Sequence, residues 1–263
     1  MKIPFTKAHG AKNDFLLTWR KDVPEGDRAA MARAICERHT GVGADGWLLV
    51  DTDAEADIAI QLYNSDGSTA ELSGNGTRCA AAFLVAQASR PVQTVRVQTG
   101  AGLKHLRLLQ REGLAFEFEM NMGRPEIQAA TFDLPLSTGP RDVTLVWVGN
   151  PQCAVPVADF EFDWRAMGAE IERHPHFPNR TNVSFVKAVD QHTIGVRFYE
   201  RGAGETMSSG TGSTGAAAAA VARRMARSPV RVMTPAGPID LRLDDDVYLT
   251  GPAEIVAEGQ FFL

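Results

Sequence analysis

Two ten-residue stretches carry the side chains and the spacing best suited to chemistry. Ser73 opens SGNGTRCAAA, Ser209 opens SGTGSTGAAA 136 positions later, and six of the ten residues are identical. A glycine-rich turn entering a helix leaves its first backbone N–H groups without partners, and with the helix dipole these form an anion site. Two such turns, related by a pseudo-twofold across a cleft, would hold one amino-acid carboxylate with Ser73 and Ser209 beside its α-carbon. Side chains on opposite faces of a carbon are what stereoinversion demands: one removes the α-proton and the other returns a proton to the far side. The dipoles would stabilise the charge that builds on the carboxylate. That geometry requires no cofactor. The second turn also satisfies GxGxxG at Gly210, Gly212 and Gly215. However, Arg201 to Ser209 separate it from the preceding strand, and the next strand, VRVMTPAG, ends without an acidic residue, so a dinucleotide site is not expected.

The elements that must position these turns repeat in order. IPFTKAHG and FLLTW read as strands around a polar turn at Lys12 to Asp14, followed by a helical pattern, DRAAMARAICERH, that stops before Gly41. WLLVD and DIAIQLYN are strands, and the turn Asn64-Ser65-Asp66-Gly67 leads to the first glycine-rich segment and a helix, AAAFLVAQA. After TVRVQT, LKHLRLL and LAFEFEM the order recurs: TLVWVGN, VSFVKAV and TIGVRFYE as strands, then the second glycine-rich segment and the helix AAAAAVARRMA. This predicts an internal duplication of a β-rich unit around one helix. The domains are expected at 1–117 and 118–263, with the last strand able to return to the first domain.

Composition narrows the partners. With 263 residues and 44% hydrophobic content the chain can build a real core, and its net charge of −5 argues against a nucleic-acid partner. The cluster Arg223, Arg224, Arg227 and Arg231 reads as cations suited to the end and solvated face of a helix. Cys36, Cys79 and Cys153 are too few and scattered for a disulfide framework or zinc site, and His174 and His176 lack nearby partner ligands, so no metal is expected. MKIPFTKAHGAKNDF lacks a secretory h-region, and no stretch approaches the roughly 20 apolar residues that span a bilayer, which places the expected location in the cytoplasm without a membrane partner.

HGAKNDF, RHTGVGADG, YNSDGSTAELSGNGTRCAA, VGNPQC, RTNVSF and YERGAGETMSSGTGSTGAA together resemble the diaminopimelate epimerases, cofactor-independent amino-acid isomerases, over essentially the whole length. The resemblance implies an α+β fold of two pseudo-symmetric domains, each a mostly antiparallel β-sheet wrapped around a central helix, and a homodimer. It implies interconversion of LL- and meso-diaminopimelate for lysine and cell-wall synthesis. It also implies that Asn13, Asn64, Asn150, Asn182, Glu200 and Arg201 line the substrate site, with Arg201 on the distal carboxylate. Gly74, Asn75, Gly210 and Thr211 would offer backbone N–H groups to the carboxylate at the reacting centre. On local sequence alone, Asn13, Asn64 and Asn182 also read as turn residues, and Glu200 with Arg201 as a strand-end ion pair. Two other roles fit the chain: a racemase or dehydratase of the wider superfamily acting on another amino acid or a hydroxyproline, or a non-catalytic amino-acid-binding protein.

The pattern is broken where it matters most. The family's two acid/bases are cysteines heading the two turns, and both are serine here. A thiol near pKa 8.5 is a few per cent ionised at neutral pH, whereas an alcohol near 16 lies about 7 units higher, or roughly 10 kcal/mol. A helix dipole contributes only about 0.3 to 2 kcal/mol. Gln152 stands where family members often carry histidine, and Cys79 lies a turn and a half down the helix. Engineered replacement of two cysteines and a natural relative with altered chemistry both fit, and either way the expectation is binding with very slow turnover or none.

Overall fold

The computed structural model describes residues 2–263. In chain order the elements are β1 Lys2–Gly10, β2 Asn13–Trp19, α1 Arg28–Cys36, β3 Gly46–Asp51, β4 Ile58–Asn64, β5 Thr69–Ala70, α2 Gly74–Gln87, β6 Thr94–Thr99, β7 Gly102–Glu112 and β8 Ala115–Gly123. They continue with β9 Glu126–Leu134, β10 Arg141–Trp147, β11 Pro151–Pro156, α3 Trp164–Glu172, β12 Asn182–Asp190, β13 Thr193–Glu200, β14 Gly204–Thr206, α4 Gly210–Ala222, β15 Val230–Thr234, β16 Gly237–Leu243 and β17 Val247–Phe262. The chain divides into two compact units, the first running to Met120 and taking in Gly251–Leu263, the second being Asn121–Thr250. The strand β17 is shared between them, its first residues to Thr250 belonging to the second unit and those from Gly251 to the first.

In the first unit the strands pair in the cycle β1, β2, β3, β4, β6, β7, β8, β17 and back to β1, a closed barrel of eight strands. Two of these pairings are parallel, β2 with β3 and β4 with β6, and the others described by register are antiparallel. The second unit repeats the pattern from β9 through β10, β11, β12, β13, β15 and β16 to the start of β17. Its parallel pairs, β11 with β12 and β13 with β15, fall at the same places. A parallel pair needs a crossover, and α1 and α3 supply the first one in each unit.

The central helices explain the alanine runs. Eight strands enclose a space just wide enough for side chains, so a helix fits inside only if its own side chains are small. Residues Gly74 to Phe83 of α2 and Gly210 to Ala220 of α4 are all buried. Side chains on the surrounding strands take up the room: a methyl group at Gly215 would lie 2.9 Å from the Gln152 side chain. By contrast α1 and α3 pack one face only. Met31, Ala32 and Ile35 meet Trp47 and Leu49 in one cluster, and Trp164 and Ile171 meet Val155 and Phe185 in another.

Element ends differ from the sequence reading in physically intelligible ways. The first helix stops at Cys36, because the Glu37 carboxylate accepts from the amides of His39 and Thr40 and turns the chain. Both central helices begin at the glycines, not at the alanines, since serine caps each start. The last helix ends at Ala222, where Arg223 leaves helical geometry and Arg224 takes a positive φ of 59°. Arg223 is not a solvated cation: it forks onto the Asp142 carboxylate at 2.6 and 2.7 Å.

The two caps differ in how tightly they are packed. A Cβ at Gly212 would lie 2.9 Å from the buried Phe198 ring and 2.9 Å from Ser209 Oγ, whereas at Gly76 the nearest atoms are 3.3 Å away. Overpacking costs about 1 to 3 kcal/mol, and replacing helical glycine by alanine returns up to about 1. Gly212→Ala is therefore expected to lose about 1 to 2 kcal/mol in urea unfolding, and Gly76→Ala to stay within about 0.5 of the parent.

Candidate active site

Each unit presents the same device at the start of its central helix. Ser73 is the extended residue before α2, and its Oγ accepts the Gly76 amide at 3.1 Å while its carbonyl takes the Thr77 amide. Ser209 does the same for α4, with Gly212 N–H at 3.0 Å and the Ser213 amide on its carbonyl. A serine cap of this kind satisfies two of the orphan donors. The amides of Gly74 and Asn75, and those of Gly210 and Thr211, meet no acceptor among the described residues. These two free N–H groups per turn, at the positive end of a buried helix, can hold one oxygen of an anion.

In the first unit, Asn75 donates to Asn13 Oδ1 at 3.2 Å, and Asn13 in turn donates to Asp45 at 2.7 Å. Behind Asn13, Arg38 bridges Asp14 and Asp45, and Lys7 lies 3.1 Å from Asp14. Burial raises the Asp14 carboxyl, but Arg38 and Lys7 outweigh it and hold the group below the ordinary carboxylate range. Asn64 ends β4 and binds Ser68 through its backbone at 2.8 Å and its side chain at 2.9 Å. That hydrogen-bonding is the turn role that local sequence suggested for Asn64, and the Asn13 contacts go beyond it.

Sequence reasoning missed Arg78. Its guanidinium is fully buried, donating through Nε to the Pro252 carbonyl at 3.1 Å and through a terminal nitrogen to Asn75 Oδ1. The other terminal nitrogen has no hydrogen-bond partner among the described residues. Burial lowers its pKa to about 10, so it stays charged at neutral pH. A charged residue inside an otherwise small and apolar helical run was the available signal.

In the second unit, Asn150 Oδ1 accepts from Gln152 at 2.6 Å, and Asn182 joins two segments by donating to the Pro151 carbonyl at 3.2 Å and accepting the Arg201 amide at 3.0 Å. Arg201 also reaches the Asn179 carbonyl at 3.4 Å. Glu200 is the last residue of β13. Buried polar atoms without partners gather on this unit: Gln152 Oε1, Thr206 Oγ1, Ser208 Oγ and Ser213 Oγ. Orphans of this kind mark where a polar ligand belongs.

Strand register makes the two sets equivalent. Asn13 lies two residues before Phe15, which pairs with Gly46, and Asn150 lies two before Gln152, which pairs with Asn182. Gly46 in turn pairs with Asn64, while Val183 pairs with Tyr199, which brings Glu200 level with Asn182. So Asn13 corresponds to Asn150, Asn64 to Glu200 and Ser73 to Ser209. The units differ where Gly46 and Ser65 of the first correspond to Asn182 and Arg201 of the second. A cationic side chain, Arg201, is thus added to one half of a duplicated frame.

Among the described residues, neither Ser73 Oγ nor Ser209 Oγ is hydrogen-bonded to a His, Asp or Glu side chain; each accepts a backbone amide. Glu205 is forked onto Arg165 at 2.6 and 2.9 Å, and Cys79 is fully buried, its thiol pushed up to about 12 by desolvation. Among the described residues no cluster of His, Cys, Asp and Glu is arranged to hold a metal ion. No described helix is long and apolar enough to cross a membrane.

The sequence profile of the diaminopimelate epimerases matches residues 5–128 and 144–256. The chain belongs to the diaminopimelate epimerase family. Members from Pelotomaculum thermopropionicum and Cupriavidus taiwanensis, both named diaminopimelate epimerase, are each 37% identical to it. The first alignment covers 98% of both chains, and the second covers 100% of this chain and 98% of the relative. The fold is shared more widely. A hydroxyproline epimerase from Agrobacterium vitis superposes with a TM-score of 0.77 at 16% identity, over 98% of this chain and 92% of that one. A probable proline racemase from Agrobacterium radiobacter gives 0.78 at 16%, over 99% and 93%.

Proposed function

We propose that the protein is built for cofactor-independent stereoinversion of diaminopimelate, and that with Ser73 and Ser209 it binds this substrate but turns it over very slowly or not at all. The observation that carries the proposal is the matched pair of serine-capped helix starts, each with two free amides. The α-carboxylate is received by Gly74, Asn75, Gly210 and Thr211, and residues 73 and 209 each address one face of the α-carbon. As that carbon loses its proton, charge builds on the carboxylate, where fixed amides stabilise it more than in the ground state. Asn13, Asn64 and Asn150 hold the α-substituents. Asn182, Glu200 and Arg201 take the distal end, the guanidinium pairing with the second carboxylate and Glu200 with an ammonium.

The catalytic weakness follows from the serines. Neither Glu205, held by Arg165, nor a helix dipole of about 0.3 to 2 kcal/mol offsets the roughly 10 kcal/mol between an alcohol and a thiol. The working form is read as a homodimer in the cytoplasm, and the exposed apolar side chains Val256 and Phe262 along β17 support the self-association alone.

Calorimetric titration tests the substrate assignment. Diaminopimelate is expected to bind at least tenfold more tightly than proline, because only it engages Arg201 and Glu200. Equal or tighter binding of proline would instead move the protein to another amino acid of the superfamily.

A further inference from the structure

Glu172, the last residue of α3, stands where its own helix disfavours it. The C-terminal end of a helix carries partial negative charge, and the Glu172 side chain is only 2% exposed there. Three donors compensate. Arg180 approaches one carboxylate oxygen at 3.2 Å, the Gly202 amide reaches the same oxygen at 3.2 Å, and Arg173 meets the other at 3.1 Å. The backbone carbonyl of Glu172 also takes the Thr181 amide at 3.3 Å.

These contacts bracket the distal-end residues. Arg180 and Thr181 immediately precede Asn182, and Gly202 immediately follows Arg201. Besides the β12–β13 pairing at Val183 and Tyr199, Asn182 Oδ1 accepts the Arg201 amide at 3.0 Å and the Arg201 guanidinium reaches the Asn179 carbonyl at 3.4 Å. Beyond the end of that pairing, the buried Glu172 carboxylate ties the two flanks together, taking Arg180 from one segment and the Gly202 amide from the other on a single oxygen. Resting on the assignment of diaminopimelate as substrate, we infer that Glu172 is a positioning residue that sets the Asn182–Arg201 clamp and thereby the selectivity for a distal carboxylate. Displacing a guanidinium by even half an ångström weakens a forked ion pair, so the effect falls on the far end of the ligand and spares the α-carboxylate.

The test compares diaminopimelate with lysine, which keeps the distal ammonium and lacks the distal carboxylate. By calorimetry, with displacement titration for the weaker ligand, Glu172→Gln is expected to lose tenfold or more in diaminopimelate affinity and to hold lysine within twofold. Hydrogen exchange is expected to quicken at Arg201 and Gly202 more than elsewhere. Arg173→Met, which removes the most exposed partner, should change affinity less than twofold. If Glu172→Gln does not fold, Arg180→Met, which leaves the carboxylate on the Gly202 amide, carries the same test with an expected threefold selective loss. Unchanged diaminopimelate affinity, or equal loss for both ligands, overturns the inference. Failure of the parent to bind diaminopimelate would overturn the substrate assignment instead, and the exchange rates at Gly202 would still decide whether Glu172 pins the turn.

Discussion

With cysteine at both positions 73 and 209, solvent exchange of the α-proton of LL-diaminopimelate in D₂O is expected to rise at least a thousandfold over the parent. The estimate starts from the pKa gap of about 7 units between alcohol and thiol. If about half of that gap is expressed in the transition state, the gain is roughly 10³ to 10⁴. Each helix start then adds its own share, since unpaired amides and a positive dipole favour a thiolate. The single variants separate the two roles. Ser73→Cys or Ser209→Cys alone supplies one competent group, so protons exchange on one face of the carbon without inversion, and only the double variant converts LL to meso. The chain's own cysteines contribute no background: burial pushes Cys36 and Cys79 up to about 12, and Cys153 further still. A double-cysteine protein that binds diaminopimelate and exchanges nothing would defeat the epimerase assignment.

The legible parts of this protein are those where function and folding ask for the same residue. A helix that must start inside a barrel needs a small capping residue, glycines that let the turn approach its neighbours, and alanines thereafter. Both decapeptides at 73 and 209 therefore encode the duplication, the helices and their serine caps at once. Much less could be read where the sequence serves packing alone. The α3 helix has a glycine at 168 in its middle, needed because a Cβ there would lie 2.8 Å from Tyr199, and it went unrecognised. With α3 went Glu172, whose role depends on a turn thirty residues downstream. Arg78 stands out as a single cation in an alanine-rich run, but its role is not legible locally, because its partner Pro252 comes from the far end of the chain. The side-chain links among the polar residues are long-range as well, since Asn75 meets Asn13 across 62 positions and no local spacing encodes that distance. Asn64 and Glu200 keep the 136-residue offset of the two serines, whereas Asn13 and Asn150 are one position out of it and correspond only through strand register.

Arg78 leads to the second large effect. A buried guanidinium held by a carbonyl and an amide oxygen, with no carboxylate bonded to it, projects a positive potential on the first turn of α2. Its equivalent 136 positions on is Thr214, a neutral hydroxyl turned onto the Gly210 carbonyl. The two helix starts are alike in shape and unlike in charge, so cysteines placed at 73 and 209 should titrate differently. Five positions along a helix is about 7.5 Å of rise, and the arginine side chain leans back toward the N-terminus. A unit charge at that range, with an effective dielectric constant of about 20, contributes roughly 2 kcal/mol, or about 1.5 pKa units. Among the other charges on this side, Lys7 and Arg38 face Asp14 and Asp45, and any contribution from Lys104 on β7 drops out when Arg78→Met is compared with its own single-cysteine parent. Rates of iodoacetamide alkylation against pH, read peptide by peptide, are expected to give Ser73→Cys a thiol pKa at least one unit below that of Ser209→Cys. Adding Arg78→Met should raise the first by about 1.5 units and leave the second in place, while Arg78→Lys, which retains the charge, should restore most of the difference. Equal thiol pKa values in the two single-cysteine proteins, or a shift on Arg78→Met that appears at both sites, would show that the helix starts alone set the acidity. The consequence for the reaction is directional, because the more acidic thiol of such a pair is the one that rests as thiolate and withdraws the first proton.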